Sequence, residues 1–157
     1  MDTERKEIRG KHDHLTQKIV GVFYDVYNEL GYGFLECVYR EAMRIALSQA
    51  GLSVTCEVPI SVEFRGTVIG IFRADIIVND AVLIELKTCD ALAREHESQT
   101  LHYLKATRIE VALLMSFGPA PRFKRLIMDN ELKKSKEKSV KSVVIGARHF
   151  SEAEVLS

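Results

Sequence analysis

The sequence has few of the residues on which special structural classes depend. Its 157 residues include only three cysteines, three prolines and no tryptophan, and the cysteines form no CxxC pair. Isolated thiols of this kind are typical of reduced proteins in the cytosol. No apolar run approaches the ~20 residues that cross a bilayer, and the charged first residues lack the apolar segment of a secretory signal. We therefore expect a cytoplasmic protein without a membrane partner.

Net charge is also absent, because 22 basic residues balance 22 acidic ones. No overall field therefore draws the chain onto nucleic acid. The charge is unevenly spread, however: residues 120–148 carry nine basic and three acidic side chains, a net charge of +6 that leaves −6 for the rest. A basic segment beside an acidic body suits phosphate binding next to a metal pocket. The alternative is a solvated extension.

The hydrophobic pattern that is present predicts one α/β domain. A chain of 157 residues with 46% apolar composition can bury a single core. Period-3.6 and period-2 patterns predict a mixed central sheet flanked by helices. We assign residues 1–14 to a flexible lead-in, 15–128 to the domain and 129–157 to a basic C-terminal extension. The predicted helices are 15–30, 34–50 and 92–106, and the predicted strands are 54–64, 68–78, 82–87, 110–116 and 122–128.

Charged side chains interrupt two otherwise apolar strands. Glu85 and Lys87 share one face of their strand because alternate residues point the same way, and Asp75 lies in the apolar end of the preceding strand. Carboxylate oxygens are the ligands that Mg²⁺ prefers, and a bound cation can activate water. Lys87 would then stabilise negative charge on a phosphate. The alternative is an ordinary Glu–Lys ion pair on a strand surface.

This metal-site hypothesis makes a geometrical demand on the hairpin between the two strands. Asp75 and Glu85 are ten positions apart, so their side chains share a face only if the loop has an odd number of residues or a bulge intervenes. We predict a three-residue loop with Asp80 or Ala81 in the left-handed region. A regular two-residue turn at Asn79–Asp80 would send the carboxylates to opposite faces.

The motifs together resemble a known family. Residues 33–39 spell GxxExxY, and RADIIV, IELK, SQTLHYLKAT and VALLMSFG follow in order over residues 15–128. The chain resembles the bacterial GxxExxY protein family, which is grouped with the PD-(D/E)XK nuclease superfamily. The resemblance implies a restriction-endonuclease-like αβββαβ core and Mg²⁺- or Mn²⁺-dependent hydrolysis of nucleic acid. It favours DNA over RNA as the substrate.

Roles for individual residues follow from the same resemblance. Asp75 matches the metal-binding aspartate of the superfamily, although Ala74 replaces the usual proline before it. Glu85 and Lys87 match the ExK pair, with Glu85 as a metal ligand. Glu36 resembles the helix-borne glutamate that many members place beside the metal. Catalytic and metal roles are thus implied for Glu36, Asp75, Glu85 and Lys87.

Other candidates lie in the predicted helix 92–106 and in the predicted strand that contains Asp75. Gln99 and Tyr103 match a QxxxY motif, which implies that Gln99 supports catalysis and that Tyr103 contacts substrate or packs in the core. His96 shares their helical face and either binds substrate or is a surface histidine. Arg73 either binds phosphate or pairs with a neighbouring acid. A homodimer is compatible with such a small core, and a catalytically inactive module that binds nucleic acid or a protein is the alternative function.

Overall fold

A computed structural model describes residues 12–134 and 141–144. In chain order the elements are α1 (Asp13–Leu30), α2 (Glu36–Gln49), β1 (Val54–Phe64), β2 (Thr67–Val78), β3 (Val82–Lys87), α3 (Arg94–Lys105), β4 (Val111–Phe117), β5 (Pro121–Ile127), α4 (Asn130–Lys134) and β6 (Lys141–Val144). The predicted α/β class and the order of its core elements are confirmed.

The strands form one mixed sheet in the order β5-β4-β3-β2-β1-β6. Strands β1, β2 and β3 make an antiparallel meander. Helix α3 then crosses over so that β4 runs parallel to β3, and β5 returns antiparallel to β4. This arrangement leaves β3 at the centre, and its first five residues are all buried. A nearly continuous apolar run is what a strand covered on both faces requires.

Helices cover the two faces of the sheet and create two apolar clusters. Helices α1 and α2 supply Phe23 and Tyr39 to the first cluster, where both rings pack on Phe117 of β4. Helix α3 supplies Tyr103 and Leu104 to the second cluster on the opposite face. No helix within the described ranges is both long enough and apolar enough to cross a bilayer.

The structure corrects the predicted inward face of α2. The apolar spacing of this helix predicts an inward face made of Leu35, Val38, Tyr39, Ala42, Ile45 and Ala46. Three of them, Leu35, Val38 and Ile45, have exposed fractions of 74%, 39% and 43%. The buried stripe consists of Tyr39, as predicted, with Met43 and Leu47, residues four apart on one helical face. The sequence is apolar over a wide arc of this helix, so the position of α1 and the sheet decides which part is covered.

The chain ends also differ from the prediction. Residues 1–11 lie outside the described residues, but α1 already begins at Asp13, which pairs with Arg125 of β5. Pro59 favours an edge position for β1, because proline cannot donate to a ladder, but β6 pairs with Ile60–Glu63 just beyond it. The missing N–H of a proline is therefore placed where this short ladder does not need it.

Lys133 corrects the expectation that the basic extension is uniformly available to phosphate. Its ammonium donates hydrogen bonds to the carbonyls of Thr107 at 2.9 Å and Ile109 at 2.6 Å, and its side chain is buried. Burial lowers the pKa of Lys133 to about 8, although the charges of Glu110 and Asp129 oppose the shift. This lysine fastens α4 to the loop before β4.

Candidate active site

The hairpin between β2 and β3 meets the geometrical demand of the metal-site hypothesis. Val78 pairs with Val82, so the loop contains three residues. Asn79 and Asp80 both have left-handed backbones, with φ of 51° and 53°; asparagine and aspartate tolerate this conformation better than most residues. The prediction of a three-residue loop with a left-handed Asp80 is confirmed.

The hairpin brings the Asp75 and Glu85 side chains together. Regular pairing of β2 with β3 ends at Ile76 and Ile84. At the next position the Asp75 N–H donates to Glu85 Oε1 at 3.1 Å, and the Leu86 N–H donates to Asp75 Oδ2 at 2.8 Å. Carboxylates thus replace backbone carbonyls as acceptors where the two strands diverge. We call this opening, formed by Asp75, Glu85 and Lys87, the carboxylate cleft.

A change of face in β2 places Asp75 between the two layers. Ile76 packs with the α1–α2 cluster, whereas Ala74, two residues away, packs with the α3 cluster. Regular strands keep such residues on one face. β1 makes the same change at Glu57, which stands opposite Asp75 in the register and has φ of 51°. The meander is therefore irregular at the point where its carboxylates meet the helices.

Glu85 is the most deeply buried acid of the cleft, with an exposed fraction of 4%. Burial, followed by the negative charge of Asp75, raises the pKa of the Glu85 carboxyl to about 9, although the Asp75 N–H and the Lys87 charge oppose the shift. An isolated buried carboxylate is disfavoured, and a second carboxylate makes ionisation harder still. The crowding of two carboxyl groups, which the metal-site hypothesis requires, thus adds to a rise of which burial is the largest cause.

Helix α2 brings Glu36 towards the cleft. Gly33 before it has φ of 112°, a backbone that favours glycine. The buried Tyr39 hydroxyl donates to the Gly31 carbonyl at 2.6 Å and accepts from the Phe34 N–H at 3.3 Å. The glycine and tyrosine of the GxxExxY pattern therefore fix the loop that precedes Glu36. Burial raises the pKa of Glu36, Lys87 opposes the rise and Asp75 adds to it.

Arg40 is a site residue that the sequence reasoning missed. Its guanidinium lies 3.4 Å from Asp75 Oδ1 through Nη1 and 3.3 Å from Glu57 Oε1 through Nη2. Arg40 follows Glu36 by four residues, which places both on one face of α2. That spacing was the available signal, but the acids that Arg40 contacts come from strands far along the chain.

Helix α3 places its polar residues on the other side of the cleft. Gln99 Oε1 is 3.5 Å from Lys87 Nζ, so the predicted catalytic lysine and glutamine are neighbours. Tyr103 is 5% exposed, and burial together with the charges of Glu85 and Asp75 raises its pKa to about 12. Tyr103 therefore packs in the core, as one of its two alternatives stated. It still lies close enough to both acids for their charges to affect its pKa.

His96 and Arg73 have different surroundings. His96 Nδ1 accepts a hydrogen bond from the Ala93 N–H at 3.2 Å and lies 3.8 Å from Cys89 Sγ. This histidine therefore caps the start of α3 and is half-buried. Arg73 is exposed and pairs with no acid among the described residues. The ion-pair alternative for Arg73 is not realised there.

Ser116 of β4 and Gly118, which follows the strand, hold the segment that joins β3 to α3. The buried Ser116 hydroxyl donates to the Cys89 carbonyl at 2.5 Å. Gly118 passes so close to the same carbonyl that an added Cβ would lie 2.3 Å from its oxygen, a distance that no side chain can adopt without displacement of backbone. These contacts fix the segment that follows β3, and therefore the end of the strand at which Lys87 lies.

The donor set fits a hard divalent cation. Asp75 and Glu85 supply oxygen ligands in one opening, and a cation would relieve the crowding that raises the Glu85 pKa. Within residues 12–134 and 141–144, no set of three or more His, Cys, Asp or Glu side chains is gathered around one cation-sized point. Glu36 is therefore not gathered with Asp75 and Glu85 into such a set.

Comparisons with known proteins give a family match. A sequence profile of the PD-(D/E)XK nuclease superfamily matches residues 13–126, which include the cleft and the helices around it. No curated protein matches. A solved structure titled "Crystal structure of SSO0001" is similar with 17% identity and a TM-score of 0.44. The alignment covers 84% of this chain and 62% of that one.

Proposed function

Because this chain belongs to the PD-(D/E)XK nuclease superfamily, we propose that it is a metal-dependent nuclease that hydrolyses phosphodiester bonds. We favour DNA over RNA as its substrate. The predicted superfamily and the predicted restriction-endonuclease-like α/β fold are confirmed. Membership supports a nuclease-type function in general. The narrower assignment to the GxxExxY family stays a prediction that rests on residues 33–39.

One observation carries the proposal: two acids and a lysine share the opening where β2 and β3 diverge. Asp75 and Glu85 contact each other through the Asp75 N–H at 3.1 Å. We propose that both carboxylates, together with Glu36, hold Mg²⁺ or Mn²⁺. When bound, such a cation supplies an activated water and stabilises charge on the phosphate.

The remaining roles belong to side chains around the cleft. Lys87 is proposed to stabilise negative charge on the scissile phosphate, and Gln99 to orient the lysine ammonium through their 3.5 Å contact. Tyr103 is buried, so we propose that it supports the cleft from within the core and does not contact substrate directly. Arg73 and the free ring nitrogen of His96 are proposed as substrate contacts, because Arg73 is exposed and the His96 Nδ1 is already engaged.

The test is cleavage of single-stranded, duplex and nicked DNA and of RNA by purified protein with Mg²⁺ or Mn²⁺. Lys87→Ala should lower the rate by about 10²- to 10³-fold, as the loss of one transition-state contact does, and should leave affinity for nucleic acid nearly unchanged. Lys18→Ala is the matched control, since that lysine is exposed on α1 and lies outside the basic segment. Equal rates for the two variants would contradict the role of Lys87.

The alternative is an inactive module that binds nucleic acid or a protein. It is favoured by Arg40, because its guanidinium, 3.4 Å from the Asp75 carboxylate, already offsets the negative charge that a cation would offset. Binding without release of nucleotides or nicks under any divalent cation would select this alternative. A divalent cation that raises the melting temperature of the wild type but not of Asp75→Ala would favour the nuclease.

Two further proposals concern the state of the protein in the cell. We place it in the cytoplasm, since its three cysteines are free thiols and oxidising compartments favour disulfides. We also retain the homodimer as a proposal, because Tyr32, Phe34 and Leu35 are exposed side by side and clustered apolar surface is typical of contact sites. Sedimentation over a range of concentrations measures this association.

A further inference from the structure

A surface groove with an aromatic floor lies beside the carboxylate cleft. Phe72 of β2 is 40% exposed, and its ring centroid is 5.4 Å from that of the buried Tyr103 at an angle of 57°. The groove between them and α3 has a volume of about 490 Å³. We call it the aromatic groove. An exposed ring supported from below by a second ring is a platform on which a flat group can stack.

Helix α3 supplies the polar wall of the aromatic groove. Arg94, Ser98 and His102 follow one another at intervals of four residues, so they occupy one helical face. All three side chains are exposed. Glu95 also lines the groove. The wall thus offers a permanent cation, an imidazole and a hydroxyl, together with one carboxylate that can accept from an amino group.

Gln99 joins the aromatic groove to the cleft. Its side chain lines the groove, and its Oε1 is 3.5 Å from Lys87 Nζ. A strand with its scissile phosphate at Lys87 would therefore have an adjacent nucleotide over the groove. Tyr103 makes the same connection from within, because its pKa responds to the charges of Glu85 and Asp75 while its ring supports Phe72.

We propose that the aromatic groove binds an unpaired nucleobase next to the scissile phosphate, so that the substrate is single-stranded nucleic acid. A base in a duplex is already stacked on both faces and cannot lie on a protein ring, whereas a single strand offers its base faces freely. Arg94 and His102 would meet the flanking phosphate or base edge. The inference rests on the proposed function, since it deepens the substrate of the same site.

The experiment measures binding without cleavage, in EDTA, to oligonucleotides with one 2-aminopurine. Single-stranded DNA, single-stranded RNA and duplex DNA of the same sequence form the three arms. Phe72→Ala should weaken single-strand affinity about tenfold, as loss of one base–aromatic stack does, and should remove the fluorescence quenching. Duplex affinity should not change. Phe72→Trp should restore both signals, which distinguishes stacking from a folding defect.

Phe123→Ala is the matched control. Phe123 of β5 is also 40% exposed and also contacts a tyrosine ring, Tyr24 at 6.3 Å, but β5 lies three strands away from β2. Its variant should bind single strands like the wild type. Equal affinities of Phe72→Ala and Phe123→Ala would overturn the proposal, and so would an equal loss in the single-strand and duplex arms or a wild type that binds no single strand.

The failure of this inference can be told from the failure of the nuclease assignment. A wild type that cleaves DNA, combined with a neutral Phe72→Ala, keeps the nuclease and rejects the base site. A wild type that never cleaves but loses single-strand affinity in Phe72→Ala keeps the base site and rejects hydrolysis.

Discussion

The two halves of β3 are built for different purposes. Val82, Leu83 and Ile84 pair with β2 on one side and β4 on the other. Residues 85–87 keep their pairing with β4 but have lost β2. The first half contains only apolar side chains, whereas the second contains Glu85 and Lys87. Within six residues, one strand therefore passes from a uniformly apolar segment that is paired on both edges to a segment that is paired only with β4 and carries the ionisable side chains.

The difference shows how the fold can hold buried ionisable groups close together. A buried carboxyl without partners is unfavourable, but the strand that carries Glu85 is anchored by the paired half before it. The loss of β2 creates room, and the carboxylates take over the free N–H groups of Asp75 and Leu86. Stability and chemistry are thus divided along one strand.

Truncation in each half tests this division, and the largest effect is expected in the paired half. Leu83 is fully buried, so Leu83→Ala should lower the free energy of unfolding by about 2–5 kcal/mol. Glu85→Gln should change it by less than ~1 kcal/mol at pH 7, because a neutral amide replaces a carboxyl whose pKa of about 9 already keeps it protonated. Urea denaturation without divalent cations measures both values.

Addition of Mg²⁺ sharpens the same comparison. Stabilisation by the cation should persist in Leu83→Ala and disappear in Glu85→Gln, since only the second variant lacks a proposed ligand. If Glu85→Gln loses as much stability as Leu83→Ala, the second half of β3 is structural and the division does not exist.

The sequence was sufficient to predict five of the six described strands, all but β6, and, together with the metal-site hypothesis, the meeting of Asp75 with Glu85. Strand side chains alternate with a period of two, so the hairpin's parity decides which acids share a face. The nearly continuous apolar run at Val82–Leu86 predicted a central strand, because a strand that is covered on both faces needs apolar side chains. These features are local, because each depends on residues within about ten positions of one another.

Features that depend on distant contacts could not be predicted. Arg40 contacts Asp75, which is 35 residues away, and its position on α2 alone does not identify that partner. The left-handed Glu57 has no signal, since neither glycine nor asparagine marks it. Lys133 belongs to a run of lysines that resembles solvated surface, and only the carbonyls of Thr107 and Ile109 make it structural.

Arg40 offers a smaller test of how open the second half of β3 is to a cation. Arg40→Met removes a positive charge 3.4 Å from Asp75 Oδ1. The interaction of unit charges at this range is about 1 kcal/mol in water, so Mg²⁺ or Mn²⁺ should bind about fivefold more tightly. Arg44→Met is the control, because Arg44 is one turn further along α2 and pairs with Glu41. Titration calorimetry gives both affinities; weaker binding to Arg40→Met would show that Arg40 orients Asp75 instead.

Lys133 provides a comparison with the cleft, because it is a buried ionisable group that lies outside it. Its pKa of about 8 lies below the ordinary 10.5, so between these values the unfolded chain binds more protons than the native one, and stability should rise with pH. Lys133→Met removes this contribution. The stability difference between wild type and variant should therefore grow from pH 8 towards pH 10, by no more than ~1.4 kcal/mol per unit.

The same variant also loses the donor to the Thr107 and Ile109 carbonyls, which should cost about 1–3 kcal/mol at every pH because buried acceptors are left unpaired. Lys124→Met, which removes a half-exposed lysine paired with Glu97, should not change the pH slope. Urea denaturation at several pH values, with and without Mg²⁺, distinguishes the contribution of Lys133 to stability from that of Glu85. The Lys133 contribution should be independent of the cation, since its ammonium is satisfied by carbonyls. A Mg²⁺-dependent slope in Lys133→Met would mean that α4 is coupled to the cleft and that the two regions are not independent.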